Sequence, residues 1–411
     1  MATDAQLRIP RATPLQAAAA LAPAARWLAL DLFRFVAVVL MIQGHVFYEV
    51  AGPSVREASW YGWHGYVHGF TAPIFLFSSG MAFGITTLRK WRDHTRFGKP
   101  VYKRLERYFM LIAIGYGMHF STMALGWLQG LPAERLAAVT RVDALQHIGV
   151  ALLIAESLAL LLKRKAPFFI ALAVITSAAV LFAPALWNLD VSHLPIPVAA
   201  WVNASTGSIF PFAPWCGYLF AGVLTARFVR TRLTKPKGFR QLVLPLALLA
   251  LGLFATGKGL TLSGFDPFGE HNYWKTSPYF FLIRLGGVMG LLAVLCAVEL
   301  GLERRRRSAP VGHAGSPTRV VRFVQIVGQQ TLVLYVAHLM LLYGTGVTPG
   351  VVGTFHRNLN LAESAGVVGL FFVAMGLLAY VWHWTKKRHF SAFEAVRYSV
   401  TALLLLLFFL R

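Results

Sequence analysis

The sequence is poor in charged residues and nearly free of cysteine. Only 13% of its 411 residues are charged, whereas soluble globular proteins average about 25%, and this shortage excludes a water-soluble globular protein. Acidic residues are scarcest, with 16 Asp and Glu against 39 Lys and Arg. The two cysteines, Cys216 and Cys296, both lie in apolar stretches, so a disulfide framework and a redox motif are excluded as well.

Long apolar runs occupy most of the chain instead. Each run is long enough to cross a hydrocarbon core about 30 Å thick, and in lipid such a segment must satisfy its own backbone as a helix. We therefore predict an all-α fold, a polytopic transmembrane helix bundle of about eleven spans. The predicted spans are 27–48, 66–88, 105–127, 143–162, 167–187, 206–226, 241–262, 278–301, 322–345, 363–384 and 396–410.

The basic residues follow the positive-inside rule. Most of them fall on one side of the membrane if the spans alternate, in the N-terminal segment and in clusters at 89–107, 163–165, 227–240, 304–322 and 386–388. This pattern predicts a cytoplasmic tail at 1–26, followed by a single transmembrane domain at 27–411 with a basic cytoplasmic linker at 303–320. The net charge of +23 is then explained by contact with anionic lipids and not with nucleic acid.

Polar side chains in the first span are functional candidates, because a charge near the bilayer centre costs about 2.5–3.5 kcal/mol. Asp31 and Arg34 lie three residues apart and can pair on one helix face. His45 follows Arg34 after about three helical turns and shares that face, with Gln43 on the neighbouring one. We predict that this face lines a polar passage. The alternative is an ion pair at the membrane edge and an interfacial histidine.

Two further pairs have informative spacings. His64 and His68 lie four residues apart, which suits a metal ion, but without a third ligand nearby we expect no metal. Arg104 and Arg107, at the start of the third span, could clamp a phosphate-bearing ligand that arrives from the cytoplasm. The alternative for these arginines is a simple stop-transfer cluster.

Arg284 and His338 lie inside the eighth and ninth predicted spans, where a buried guanidinium needs a partner. Trp215, Tyr218 and Tyr335 offer aromatic faces on which a sugar ring could stack. We group these side chains with the two pairs above and with Gln43 as candidate substrate-binding residues.

Several motifs together resemble the transmembrane acyltransferase superfamily, which includes acyltransferase-3 proteins and bacterial relatives of heparan-α-glucosaminide N-acetyltransferase. In chain order they are DLFR at 31–34, His45, HGFTAPIFLFSSG at 68–80, RLER at 104–107, DALQHIG at 143–149, FPFAPWCGY at 210–218, SPYFFLIRLG at 277–286 and GQQTLVLYVAH at 328–338. The order and number of these motifs carry the resemblance, and together they cover most of the chain.

The resemblance implies a membrane-embedded enzyme of the bacterial inner membrane. It would move an acyl group, most readily acetyl, from cytoplasmic acyl-CoA to a sugar-type hydroxyl or amine acceptor at the outer face. His45 is expected to act as base or nucleophile, since an imidazole suits both roles near neutral pH. His64 and His68 are left open as alternatives to it.

The same resemblance assigns the donor end of the passage to Asp31 and Arg34 and the CoA phosphates to Arg104 and Arg107. Membrane lipids are further partners, and a homodimer is left open. The alternative function is a transporter of an anionic solute that uses the buried Arg and His side chains. That alternative predicts solute flux and no affinity for CoA, and the sequence lacks the internal repeat that many transporters contain.

Overall fold

The computed structural model describes residues 27–120, 132–233, 238–307, 318–344 and 349–388, together with residues 395 and 399. These residues form helices, with one isolated parallel bridge between Ala51 and Leu359. The first helices are α1 (Leu28–Val50), α2 (Pro53–Arg56), α3 (Tyr61–His68), α4 (Thr71–Arg89), α5 (Trp91–Thr95) and α6 (Lys99–Phe120). The next are α7 (Ala133–Thr140), α8 (Ala144–Leu162), α9 (Lys165–Leu181), α10 (Ala183–Trp187), α11 (Ile196–Val202) and α12 (Phe212–Leu233). The last are α13 (Gly238–Leu262), α14 (Tyr273–Thr276), α15 (Pro278–Arg307), α16 (Arg319–Gln329), α17 (Thr331–Tyr343), α18 (Gly350–Phe355) and α19 (Leu361–Arg388).

Several helices are long and apolar enough to cross a membrane. Within the described ranges, seven segments meet this condition: Leu28–Val50, Tyr61–Arg89, Ala144–Leu162, Phe212–Arg232, Gln241–Leu262, Pro278–Arg305 and Leu361–Arg388. The pair α16 and α17 adds an eighth if it is counted as one span. The predicted multi-pass helical fold is confirmed, whereas the predicted number of eleven spans is not.

The difference in span number has identifiable sources. Helix α6 is not among the candidates, and its first turns carry a dense run of charges at 99–107. Helix α9 is apolar, but at 17 residues it is shorter than these candidate spans. The predicted span 396–410 lies outside the described residues except for residue 399, and so do the tail at 1–26 and positions 308–317 of the predicted linker.

Helices α4 and α12 pack with their backbones in contact. A Cβ atom placed at Gly80 would overlap the Leu219 carbonyl, and one at Gly222 would overlap the Phe77 carbonyl. Small residues permit such close approach between membrane helices, where van der Waals contact replaces the hydrophobic effect as the driving force. This contact ties the second candidate span, Tyr61–Arg89, to the middle of the bundle.

Helix α1 is held at both ends. The Glu299 carboxylate on α15 accepts hydrogen bonds from the backbone N–H groups of Leu28 (3.2 Å) and Ala29 (2.7 Å), which satisfies two of the four free donors at a helix start. At the other end, Leu359 pairs with the chain around Ala51, since its N–H donates to the Val50 carbonyl at 3.0 Å. The position of α1 along its axis is thereby fixed.

The ninth predicted span, 322–345, is not one straight helix. Helices α16 and α17 meet at the buried Gln330 with a bend of 75°. Just before the bend, Gly328 lies against the Asp31 carbonyl of α1, because a Cβ at that position would overlap it. The bend and this contact bring α17 alongside α1.

Two clusters of buried apolar side chains fill the bundle. One includes Phe33 and Phe77, and the other includes Met41. Phe75 and Phe210 are partly buried and pack against both clusters.

Candidate functional site

The site is built on the C-terminal half of α1, where a glycine lets a neighbouring ring approach. Gly44 has no side chain, and a Cβ there would overlap the imidazole of His68 at the end of α3. The His68 ring therefore packs directly on the α1 backbone. It also stands edge-on to the next residue of α1, His45, with ring centroids 5.3 Å apart.

His45 and His338 form a direct imidazole pair. His45 Nδ1 lies 3.0 Å from His338 Nε2. The two ring planes are parallel within 1° and the centroids are 5.3 Å apart. Because the centroids are so much farther apart than the nitrogens, the rings meet edge to edge, which is the geometry of a hydrogen bond in the plane of both rings.

The backbone determines which nitrogens carry protons in this pair. His338 Nδ1 lies 2.9 Å from the Leu334 carbonyl oxygen, which can only accept. In the neutral pair His338 Nδ1 is thus the donor to Leu334, and its Nε2 accepts from His45 Nδ1. His45 Nε2 is then left with its lone pair, the form needed in a general base or a nucleophile.

Two further pairs of polar groups lie beside this dyad. The Gln43 side-chain amide donates to His64 Nε2 at 2.6 Å, and Thr71 Oγ1 lies 3.4 Å from His68 Nδ1. The His64 and His68 rings stand 6.4 Å apart, nearly parallel. The structure therefore brings together five of the sequence-predicted candidates, namely Gln43, His45, His64, His68 and His338.

Arg284 borders the same cluster. Its Nη1 donates to the Trp274 carbonyl at 2.9 Å, and its guanidinium stands 4.3 Å from the centroid of the Phe280 ring. A Cβ at Gly69 would lie 2.9 Å from Arg284 Nη2, so the arginine packs beside the residue that follows His68. These contacts supply the partner that a half-buried guanidinium requires.

The predicted arginine pair on α6 lies in a different environment. Arg104 forms an ion pair with Glu156 of α8, with Nη2 and Oε1 2.8 Å apart, and it also donates to the Asp93 carbonyl. The other carboxylate oxygen of Glu156 lies 2.8 Å from His94 Nδ1. Arg107 is exposed. Much of the hydrogen-bonding capacity of Arg104 is thus used inside the protein.

The remaining candidates are spread along the bundle. Asp31 is buried, and Arg34, three residues further along α1, is half-buried. Trp215 on α12 is buried against Phe210, with ring centroids 4.8 Å apart, and Tyr218 stands 6.0 Å from it. The roles predicted for these residues stay predictions.

Sequence reasoning missed two carboxylates. Glu156 is fully buried and anchors Arg104 and His94, while Glu299 binds the first amides of α1. Both are isolated acids inside apolar runs, a signal that is visible in the sequence and that marks a costly residue with a specific partner. Within the described residues, no group of three or more His, Cys, Asp or Glu is placed to hold a metal ion.

A known protein family matches much of the chain. The family described as heparan-alpha-glucosaminide N-acetyltransferase, catalytic, matches residues 26–258, which is more than half of the chain. Among curated proteins none matches. The matched region contains Gln43, His45, His64 and His68 but ends before Arg284 and His338.

Proposed function

Because the chain belongs to the family of heparan-alpha-glucosaminide N-acetyltransferase catalytic domains, we propose that it is a membrane acyltransferase that uses acyl-CoA. The donor, acetyl-CoA first of all, would bind at the cytoplasmic face. The acceptor would be a hydroxyl or amine of a sugar-type molecule at the outer face of a bacterial inner membrane. The imidazole pair of His45 and His338 is the observation that carries this proposal.

The chemistry follows from the proton positions in that pair. The acceptor O–H or N–H attacks the thioester carbonyl carbon while His45 Nε2 takes the proton, and the C–S bond then breaks. The imidazolium returns the proton to the leaving thiolate, which departs as CoA thiol. His338 keeps Nδ1–H of His45 in place throughout, as an orienting partner does for a catalytic histidine.

A two-step route uses the same residues. His45 Nε2 itself would attack the thioester carbonyl carbon, and the C–S bond would break to release CoA thiolate. The acyl group would stay on the imidazole until the acceptor displaces it and gives its proton to the thiolate. Acyl label that stays on the protein when no acceptor is present distinguishes this route from direct transfer.

The proposed location of the acyl-CoA site rests on the distribution of basic residues. The basic clusters support a cytoplasmic N-terminus, which would put Asp31 and Arg34 at the donor end of α1. The exposed Arg107 remains our candidate for the CoA phosphates. Arg104 would contribute only with the part of its guanidinium that Glu156 does not occupy.

The test uses the purified full-length protein in lipid nanodiscs with acetyl-CoA labelled in the acetyl group. Release of CoA thiol and transfer of label to glucosamine are measured for wild type, His45→Ala and His193→Ala, an exposed histidine as control. We expect His45→Ala to lose about 10²- to 10⁴-fold in rate, the usual contribution of a general base. His193→Ala should match wild type.

Two results would overturn the proposal. Full-rate transfer by His45→Ala would remove the histidine from the mechanism. A wild-type protein that neither binds CoA nor releases it from any short acyl-CoA would not be an acyltransferase, and solute flux in proteoliposomes would then favour the transporter.

A further inference from the structure

Arg284 carries a charge that none of its contacts neutralises. It interacts with the Trp274 carbonyl, the Tyr218 hydroxyl and the face of the Phe280 ring, and all three partners are uncharged. Among the described residues, its Nε has no hydrogen-bond partner and no carboxylate pairs with the guanidinium. Because ionisable groups inside membrane proteins usually pair with one another, an anionic ligand would complete this environment.

Arg104 provides the contrast within the same chain. Its guanidinium pairs at 2.8 Å with Glu156, whose side chain is fully buried. Arg284 instead lies at the edge of the protein, because its hydrogen bond to the Trp274 carbonyl is exposed and Trp274 itself is 56% exposed. A guanidinium with free N–H groups at such an edge can bind two oxygens of a phosphate in parallel.

Two contacts separate Arg284 from the proposed base. A Cβ atom at Gly69 would lie 2.9 Å from Arg284 Nη2, and Gly69 follows His68 in the chain. The His68 ring stands 5.3 Å from the ring of His45. A ligand whose phosphate binds Arg284 therefore has its adjoining sugar ring as the part that can reach across His68 to His45.

An apolar groove runs between α13 and α15. It has a volume of about 430 Å³ and is lined by apolar side chains and by glycines of α15. Leu251 and Val294 form part of its walls and are 64% and 59% exposed. Both helices belong to candidate membrane spans, so this groove opens to lipid chains.

The groove reaches the neighbourhood of Arg284. Gly287 lines the groove, and a Cβ there would overlap the Phe70 ring. Gly69 and Phe70 are consecutive residues, and they contact α15 at Arg284 and at Gly287, which lie one helical turn apart. The cation and the apolar groove are thus parts of one continuous surface beside the imidazole cluster.

The depth of Arg284 favours a phosphate that belongs to a lipid. Helix α15 has 30 residues, so it is about 45 Å long against a hydrocarbon core of about 30 Å. Arg284 follows Pro278, the first residue of the helix, by six positions, or about 9 Å along the axis. On a helix centred in the bilayer, this position lies where lipid head groups meet the hydrocarbon.

We propose that the acceptor is a sugar joined through a phosphate to a lipid chain. Its phosphate binds Arg284, its chain enters the groove between α13 and α15, and its reacting hydroxyl or amine faces His45. The inference rests on the proposed acyltransferase function for the reaction itself. Arg284 is then a specificity-determining residue that touches the acceptor away from the reacting atoms.

Three acceptors with the same reacting amine test this proposal. They are methyl glucosaminide, glucosamine 1-phosphate and glucosamine linked through phosphate to farnesol. The purified full-length protein is placed in phosphatidylcholine nanodiscs, so that no anionic lipid competes for Arg284. For each acceptor kcat/KM is measured with saturating acetyl-CoA. Results are compared as ratios within one preparation, because such a ratio does not depend on the fraction of protein that is folded.

The first ratio compares glucosamine 1-phosphate with methyl glucosaminide and reports on Arg284. We expect wild type to prefer the phosphate about 10- to 100-fold, the effect of hydrogen bonds to a charged group. Arg284→Met should remove this preference, and Arg284→Lys should keep part of it, since lysine retains the charge but not the fork. Lys275→Met is the matched control, because it removes an exposed positive charge next to Trp274 and should keep the wild-type ratio.

The second ratio compares the farnesyl-linked acceptor with glucosamine 1-phosphate and reports on the groove. Gly290→Leu places a side chain in the groove, where a Cβ meets only Ala250 at 3.8 Å. It should lower the ratio about tenfold, as loss of contact with about two CH₂ groups does. Gly301→Leu is the control on the same helix, since a Cβ there meets no atom within 4 Å.

Two results would overturn the inference. An equal first ratio in wild type and Arg284→Met would remove the phosphate from Arg284, and an unchanged second ratio in Gly290→Leu would assign the phosphate to a water-soluble acceptor. Binding of tritiated glucosamine 1-phosphate without acetyl-CoA separates this inference from the proposed function. Binding that depends on Arg284 in a protein that transfers no acetyl group would keep the anion site and reject the acyltransferase, whereas transfer without any preference for phosphate would do the reverse.

Discussion

Two polar networks inside this bundle satisfy their buried polar groups in different ways. Around Glu156, an arginine and a histidine saturate one carboxylate, and the ion pair between Arg104 and Glu156 has a carboxylate with no exposed surface. Around His45, the groups are imidazoles and an amide joined by single hydrogen bonds. The first network has a balanced charge and short bonds. In the second network, His45 Nε2 keeps its lone pair.

This difference separates stability from reactivity. A buried ion pair is costly to break because the remaining charge stays in a medium of low dielectric constant. A chain of neutral histidines has no such charge to strand, and its protons can move between nitrogens with little rearrangement. We therefore expect damage to the Glu156 network to unfold the protein and damage to the His45 network to leave a folded, inactive one.

The largest expected effect is on stability at Glu156. Glu156→Leu leaves Arg104 buried without its partner and should lower the free energy of unfolding by about 3–5 kcal/mol. The measurement is thermal unfolding of the detergent-solubilised protein. The double variant Arg104→Met/Glu156→Leu should be more stable than Glu156→Leu alone, because no charge is left behind. Unfolding of the single variant at the wild-type temperature would contradict this prediction.

The same double variant sharpens the predicted role of Arg104. If the guanidinium serves only Glu156, acetyl-CoA should bind the double variant with wild-type affinity. A loss of affinity in a stable double variant would instead support the predicted contact with the CoA phosphates.

A smaller effect, on rate alone, is expected at His338. His338→Leu removes the acceptor for His45 Nδ1–H and should lower kcat about 10- to 100-fold, as loss of an orienting partner of a functional histidine does. His338→Gln can offer its Oε1 in place of the imidazole nitrogen and should recover most of the rate. Both variants should unfold close to the wild-type temperature. Equal rates for the Leu and Gln variants would argue against an orienting hydrogen bond.

The smallest effect is expected at Gly44. In Gly44→Ala the new Cβ must displace the His68 ring, which is the flexible end of a half-buried side chain. We expect the rate of acetyl transfer to fall by no more than about tenfold, because His68 packs beside His45 and does not itself take the proton. Gly62→Ala is the control, since a Cβ there meets no atom within 4 Å. Identical rates in the two variants would show that His68 has no part in the site.

Much of the architecture could be predicted from the apolar runs. The long runs mark helices because lipid leaves no other way to satisfy the backbone, and α1, α8 and α15 begin within a few residues of their predicted starts. The bend at Gln330 could not be predicted, since the sequence around it continues without proline and remains apolar enough for one span. Tertiary contact with α1 accounts for it better than local propensity does.

The candidate site was predictable as a set of residues but not as a geometry. Each of His45, His68 and His338 stands out as a polar side chain in an apolar segment. Nothing in the sequence pairs His45 with His338, which are separated by 293 positions. The pairing of Arg104 with Glu156 was hidden for the same reason, because it joins two helices 52 positions apart.

The contact between α1 and α17 also limits how far the chain can be shortened without losing contacts to α1. The region that carries the family signature ends at residue 258, yet the ring that orients His45 and the carboxylate that holds the start of α1 both come from later in the chain. A fragment trimmed to the signature would keep His45 and lose both contacts. We therefore expect acyl transfer to require more of the chain than the stretch by which relatives are recognised.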